Sequence, residues 1–311
     1  MRTAVMITFH IPVMVSEVIQ ALQAQPGRRY VDCTVGSGGH AEAILQKILP
    51  DGRLLGIDAD IEAINTAKDR LVEYINNITL VHGNFANLRS ICEENDFVPA
   101  HGILFDLGVS SVQLDVPDRG FSFRYDAPLD MRFDRDAELT AADIVNTFPE
   151  DRLVQLIRNY GEEKHARQIA RQIVKSRPIT STLHLARVVE QATGHRRSRI
   201  HPATRTFLAL RIAVNRELEN LATALAQAVD CLQPGGRLVV ISYHSLEDRI
   251  VKQFFITESK GCICPSETPV CRCNHIPKLR LISRRAITPS ATEVETNPRS
   301  RSAKLRVAER I

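Results

Sequence analysis

The chain has 311 residues, 44% hydrophobic and 24% charged. These values exclude a disordered or collagen-like chain and predict about two globular domains, or one domain with a large insertion. No apolar run approaches the ~20 residues that span a bilayer, and residues 1–15 lack the apolar stretch and cleavage site of a secretory signal, so a cytoplasmic protein with no membrane association is expected.

Residues 29–32 read as a short strand ending at a turn, and residues 40–49 have helical spacing. A second apolar run at 53–57 precedes a helical stretch at 61–74. Further runs follow at 78–81 and 102–105. Strands alternating with helices predict an α/β fold with a mostly parallel sheet covered on both faces. The alternation stops near residue 116. Residues 115–136 mix Asp, Arg, Pro and Gly with Phe121, Phe123, Tyr125 and Phe133 and show no period, which predicts a long functional loop. Residues 140–192 read as several short helices, and 203–231 as one long helix closed by Gln233-Pro234-Gly235-Gly236. The sheet pattern resumes with a strand at 237–242 and a helix at 245–255, and ends with strands at 279–283 and 303–307. The expected organisation is one α/β domain made of residues 1–117 and 214–311, interrupted by an all-helical insertion at 118–213.

Charge is distributed unevenly. The formal net charge is +4, yet residues 164–211 carry eleven Lys/Arg against one acid, and 260–311 carry eleven against four. The rest of the chain is therefore acidic, with a net −13. Two basic segments on an acidic chain predict a polyanion-binding surface, because phosphate neutralisation needs clustered cations.

The sharpest local signal is Asp32-Cys33-Thr34-Val35-Gly36-Ser37-Gly38-Gly39-His40. A strand ends in a carboxylate, then a glycine-rich turn leads into a helix. The turn lets a ligand approach the backbone, and the helix start offers free N–H groups. Asp58 closes the second strand, twenty-two residues after Gly36, where it can accept from a ribose diol. Asp106 closes the fourth strand on the same edge. Two cofactor classes fit. Gly36, Gly38 and Ala41 satisfy a loose dinucleotide pattern. S-adenosylmethionine fits better, since three carboxylates converging on one site suit its cationic amino and sulfonium groups and not a pyrophosphate.

Several stretches together carry a resemblance. They are His10-Ile11-Pro12-Val13-Met14, the 32–40 loop, Asp106-Leu107-Gly108-Val109-Ser110-Ser111 with Gln113-Leu114, and Arg119-Gly120-Phe121-Ser122-Phe123. Pro128-Leu129-Asp130-Met131-Arg132, Tyr160-Gly161-Glu162-Glu163 and His201-Pro202-Ala203-Thr204-Arg205-Thr206-Phe207 follow. Ser242-Tyr243-His244-Ser245-Leu246-Glu247-Asp248-Arg249 and Asn297-Pro298-Arg299-Ser300-Arg301-Ser302 complete the set. In this order, end to end, the chain resembles the bacterial 16S rRNA cytosine N4-methyltransferase family (RsmH, or MraW). The resemblance implies a class I S-adenosylmethionine-dependent methyltransferase fold, Rossmann-like, with a helical insertion. It implies methylation of the exocyclic N4 of a cytidine in the decoding region of 16S rRNA, with the small ribosomal subunit as partner. It implies cofactor contacts by Gly38, Gly39, His40, Asp58, Phe85, Asp106 and Gln113, with Phe85 flanking the adenine. The chain departs from other amino-methylating enzymes at Asp106-Leu107-Gly108-Val109, where a proline-containing motif is common, and residues 1–7 read as extra length.

For catalysis, Asp106 is the expected acceptor on the amine, and His244, just after the fifth strand, is a second candidate. Each has a plainer reading: Asp106 as a cofactor-orienting group, His244 as a structural histidine starting a helix. Arg196, Arg197, Arg199 and Arg205 are expected to grip phosphates. Seven cysteines without an export signal predict reduced thiols. Cys262, Cys264, Cys271 and Cys273, with His275 nearby, could hold zinc, although Cys-x-Cys pairs are tighter than the usual ligand spacing; no metal is assigned from the sequence.

Overall fold

The structure, a computed structural model, describes residues 11–194, 201–265 and 270–311. Residues 1–7 and Arg196, Arg197 and Arg199 lie outside the described residues. Contacts divide the chain into two units, one of Met1–Gly108 with Glu219–Ile311 and one of Val109–Leu218.

The first unit is built on a seven-stranded sheet: β1 Arg29–Asp32, β2 Arg53–Asp58, β3 Ile78–His82, β4 Ala100–Asp106, β5 Leu232–Ser242, β6 Leu279–Leu281 and β7 Lys304–Arg310. Their spatial order is β3-β2-β1-β4-β5-β7-β6. The first five strands pair in parallel, and β7 inserts antiparallel between β5 and β6. That topology is the class I methyltransferase sheet. Its order reverses between β1 and β4, and open α/β sheets bind ligands outside the carboxyl ends of strands at such a switch point.

Side chains alternate strictly across the sheet, as the two-residue period of a strand requires. Val31, Leu55, Ile57, Ile103, Phe105, Leu238 and Val240 face one apolar layer. That layer is completed by α4 (Leu88–Glu94), α11 (Glu217–Cys231) and α12 (Ser245–Glu258). Tyr30, Leu54, Leu104, Val239, Ile241, Leu305 and Val307 face the other, against α1 (Val15–Leu22), α2 (Gly39–Ile48) and α3 (Ile61–Arg70). Neither α1 nor α4 is singled out by sequence periodicity, being only eight and seven residues long.

The second unit contains α5 (Ser111–Asp115), α6 (Ala141–Thr147), α7 (Glu150–Gly161), α8 (Ala166–Lys175), α9 (Thr182–Thr193) and α10 (Ala203–Asn215). They enclose their own core, centred on Ile144, Leu153, Ile157, Ile169, Ile173, Leu185 and Leu210. Thr140 opens α6 through a reciprocal capping box with Asp143.

One sequence expectation needs correction. The long helix expected at 203–231 is two helices, α10 and α11, parted at Arg216, whose φ of 51° is left-handed. Tertiary hydrogen bonds hold the break: Asn215 Nδ2 donates to Met131 O at 2.8 Å, and Asn215 Oδ1 accepts from Phe133 N at 2.7 Å. Arg211 then grips Glu217 with two 2.8 Å bonds across it. The segment 115–136 is irregular, as expected, but it is packed. Arg119 is 1% exposed, its guanidinium donating to Arg132 O and Phe133 O at 2.9 and 3.1 Å, and Leu129 and Met131 are buried. No helix among the described residues is long and apolar enough to cross a membrane.

Candidate active site

The carboxyl edge of β1, β2 and β4 presents Asp32, Asp58 and Asp106. Asp32, 1% exposed, accepts from Thr34 N at 3.1 Å through Oδ1, while its buried Oδ2 has no partner among the described residues. Burial pushes its carboxyl up to about 7; His40 and the Thr34 N–H oppose the rise, and the charges of Asp106 and Asp58 add to it. An unpartnered buried acceptor is costly, so it marks a place for a donor.

The loop after β1 turns through Gly36 (φ 52°) and Gly38 (φ 84°) into α2. At Gly38 the left-handed backbone excludes most side chains, and a Cβ would also sit 3.1 Å from Leu71. Gly39 is backed by Pro12, 3.0 Å from where its Cβ would lie. The stretch around Pro12 is itself held from the far end of the chain: Asn297 Nδ2 donates to Ile11 O at 3.1 Å, and Met14 N to Glu293 Oε1 at 2.6 Å.

Asp58 fixes the loop. Its Oδ2 accepts from Gly36 N and its Oδ1 from Asp60 N, both at 2.9 Å. Each oxygen keeps a second lone pair for a hydroxyl. Lost hydration raises this carboxyl to about 6, against those two N–H groups.

Asp106 is the most connected of the three. Its N–H donates to Thr34 Oγ1 at 2.7 Å, its Oδ1 accepts from Tyr243 OH at 2.8 Å, and its Oδ2 lies 3.3 Å from His40 Nε2. His40 is buried, and burial draws its pKa down, but the bond to and charge of Asp106 outweigh this and leave it raised. Burial and the charge of Asp106 push the Tyr243 phenol well above its usual value, so it remains a donor.

Phe85 stands in the turn after β3, opened by Asn84, whose side chain accepts from Ala86 N at 2.8 Å. Its ring meets Phe105 edge-on, with centroids 5.6 Å apart. Gly38, Gly39, His40, Asp58, Phe85 and Asp106 thus all lie in the sheet-bearing unit, in or next to the carboxyl ends of its strands. Gln113 belongs to the helical unit, buried on α5, where its Oε1 accepts from Ser110 N at 3.0 Å.

His244 caps α12. Its Nδ1 accepts from Glu247 N at 3.4 Å, and its Nε2 lies 3.0 Å from Glu247 Oε1. Glu247 answers by accepting from Tyr243 N and His244 N. Tyr243 is the residue that sequence reasoning missed. Its position directly after β5, beside the Asp106 strand, is a signal visible only once the β4–β5 pairing is known.

Comparison with known proteins bears on this edge. Residues 7–311 match the model of the MraW methylase family. This chain belongs to the MraW methylase family. It is similar to the ribosomal RNA small subunit methyltransferase H of Dehalococcoides mccartyi, 62% identical over 97% of this chain and 86% of that protein. The protein of the same name from Thermomicrobium roseum is 53% identical over 98% of this chain and 94% of its own length. Among solved structures, a putative rRNA-methylase from Clostridium thermocellum aligns over 97% of this chain and 100% of its own, at 13% identity and a TM-score of 0.46. As an MraW methylase the chain is a methyltransferase, and S-adenosylmethionine is its methyl donor. The site's own features fit that donor: the unpartnered Asp32 Oδ2 suits an ammonium, the Gly38–Gly39 backbone admits close approach, and Asp58 retains acceptor capacity for a diol.

Proposed function

We propose that this chain methylates the exocyclic N4 of a cytidine in the decoding region of 16S rRNA, cytidine 1402 by resemblance. The observation that carries the reading is the match of residues 7–311 to one methylase family, together with the carboxylate edge that suits a cationic donor. The relatives' names supply the small-subunit rRNA as substrate class. The helical insertion, residues 118–213 in the sequence reading, serves as the RNA-recognition domain of this cytoplasmic enzyme.

When bound, S-adenosylmethionine supplies an electrophilic methyl group on a sulfonium. Asp32 accepts from the donor's ammonium through its free oxygen, and Asp58 from the ribose hydroxyls. Gly38, Gly39 and His40 line the approach, and Phe85 flanks the adenine. The N4 amine is a poor nucleophile, because its lone pair is delocalised into the ring. Holding it in line is worth roughly 7–11 kcal/mol of barrier. Asp106 accepts a hydrogen bond from N4–H, an interaction that strengthens as the nitrogen turns cationic, and receives the proton the nitrogen sheds. Tyr243 keeps Asp106 aimed from the other side. His244 is the second candidate for that proton. The target base leaves its stack to reach the site, at a cost of a few kcal/mol.

The test is methyl transfer from labelled S-adenosylmethionine to small ribosomal subunits lacking base methylation, with the product nucleoside identified. N4-methylcytidine is expected. Methyl on another atom, or no transfer to subunits or free 16S RNA by protein that binds the donor, would overturn the reading.

A further inference from the structure

Residues 259–277 join α12 to β6 and carry four cysteines that methyl transfer does not use. Both ends of the segment are pinned at one place: Lys278 N donates to Glu258 O at 2.8 Å, and His275 Nε2 lies 3.1 Å from Thr257 O. Between these anchors, among the described residues, there is no helix or strand and no buried side chain. Ile263, Val270 and Ile276 are exposed at 47%, 68% and 77%. Packing therefore does not hold the described part of this segment in shape.

Yet Cys262, Cys264, Cys271 and Cys273 bring their sulfurs within 4.8 Å of one another. The Cys271 and Cys273 sulfurs are 3.6 Å apart, and those of Cys273 and Cys262 are 3.9 Å apart. All four are free thiols. Four thiolates around a zinc ion at ~2.3 Å stand about 3.8 Å from each other in a tetrahedron, and the two separations bracket that value. The two Cys-x-Cys turns face each other reciprocally. Ile263 N–H, inside the first, donates to Cys273 Sγ, and Arg272 N–H, inside the second, donates to Cys264 Sγ, both at 3.4 Å. Backbone donors to sulfur are the outer partners that a thiolate ligand uses to spread its charge. The facing turns also explain how pairs with one intervening residue reach a geometry normally built from wider spacing.

We propose that Cys262, Cys264, Cys271 and Cys273 bind one zinc ion as a closed structural site that folds the 259–277 segment. Thiolates are soft ligands and select zinc over the hard cations. Four protein ligands leave no open position, so the ion organises the segment and takes no part in a reaction. No electrons are exchanged: Zn²⁺ enters, each thiol gives its proton to solvent, and affinity therefore falls as pH drops. His275 is not among the clustered ligand atoms, and its Nε2 faces the end of α12.

The test is metal analysis of the full chain purified without chelator from zinc-supplemented cells. One zinc per chain is expected, released by a thiol-binding mercurial. The double variant Cys262→Ser with Cys271→Ser should lose the zinc and become sensitive to protease within residues 259–277. Should that variant fail to fold, cobalt(II) titration of the metal-depleted wild type under reductant decides the matter through the thiolate-to-cobalt charge-transfer bands of a tetrahedral tetrathiolate. Wild-type protein that takes up neither zinc nor cobalt, that carries disulfides among these cysteines, that holds iron instead, or whose zinc survives the double substitution would overturn the proposal.

Discussion

Asp32 and Asp58 hold their protons far more tightly than free carboxyls, titrating at about 7 and about 6 against 3.8. Because the folded values are raised, these groups stabilise the ligand-free protein fully below the unfolded value, and that contribution is lost as pH rises through 6 and 7. A cationic ligand prefers both groups ionised and must expel their protons. Donor affinity should therefore weaken as pH falls from about 7 to about 6, and calorimetry in buffers of different ionisation heat should register proton release on binding. Asp32→Asn should bind the donor weakly and lose most of this pH dependence; an unchanged profile would remove Asp32 from the site. Asp106→Asn separates two roles. Turnover should fall about 100-fold or more with donor affinity kept, measured as kcat against Kd, the size expected when one electrostatic contact made only in the transition state is removed. Loss of affinity alone would leave Asp106 as a cofactor-orienting group. Tyr243→Phe removes one hydrogen bond to that charged oxygen and should cost about 1.5–3 kcal/mol of transition-state stabilisation.

Secondary structure was legible where apolar runs are bounded by local turn signals. The strands at 29–32, 53–57 and 78–81 and the helix after the glycine loop match β1, β2, β3 and α2 to within a residue or so. The misreading at 203–231 lies where long-range contacts override local pattern. Apolar spacing runs unbroken through 203–231, so nothing local reports that Asn215 is bonded to Met131 and Phe133. Likewise the 115–136 segment has no period because Arg119, Leu129 and Met131 are buried by irregular backbone, not by one face of a helix or strand. Gly120 is the tightest point of that segment: its φ is 70°, and an added Cβ would meet Pro128 O at 2.4 Å and Asp130 N at 2.8 Å. Both neighbours are backbone and cannot move aside. Gly120→Ala should destabilise the helical unit by about 3 kcal/mol or more, adding backbone strain to overpacking, and should lower its unfolding midpoint in denaturant. A midpoint within error of the wild type would mean the segment is loosely held.

At the scale of the molecule, the basic run at 164–211 does not survive as eleven free cations. Arg177 is turned inward onto Val145 O and Phe148 O, Arg211 is locked to Glu217, and Arg205 lies 3.6 Å from Glu163. Charge counted along the chain thus overstates charge available to phosphate, since ion pairs are set by folding. Arg196, Arg197 and Arg199, outside the described residues, are the phosphate contacts expected from the sequence. Replacing all three with Gln should weaken RNA binding and reduce the slope of log affinity against log salt by roughly 2–3, since each phosphate contact contributes ~0.7–0.9. An unchanged slope would show that these three arginines do not contact phosphate.

By itself the sequence determined the α/β class, the carboxylates at the ends of three strands, the glycine turn and the family, because those depend on residue type at short spacing and on motifs read in order. Tertiary structure decided what spacing cannot carry. It put β7 between β5 and β6, set Tyr243 on Asp106, left Asp32 Oδ2 without a partner, and gathered four exposed sulfurs into one cluster. Each joins groups far apart in the chain, or turns on what the fold withholds from solvent, and local propensity holds no information about either.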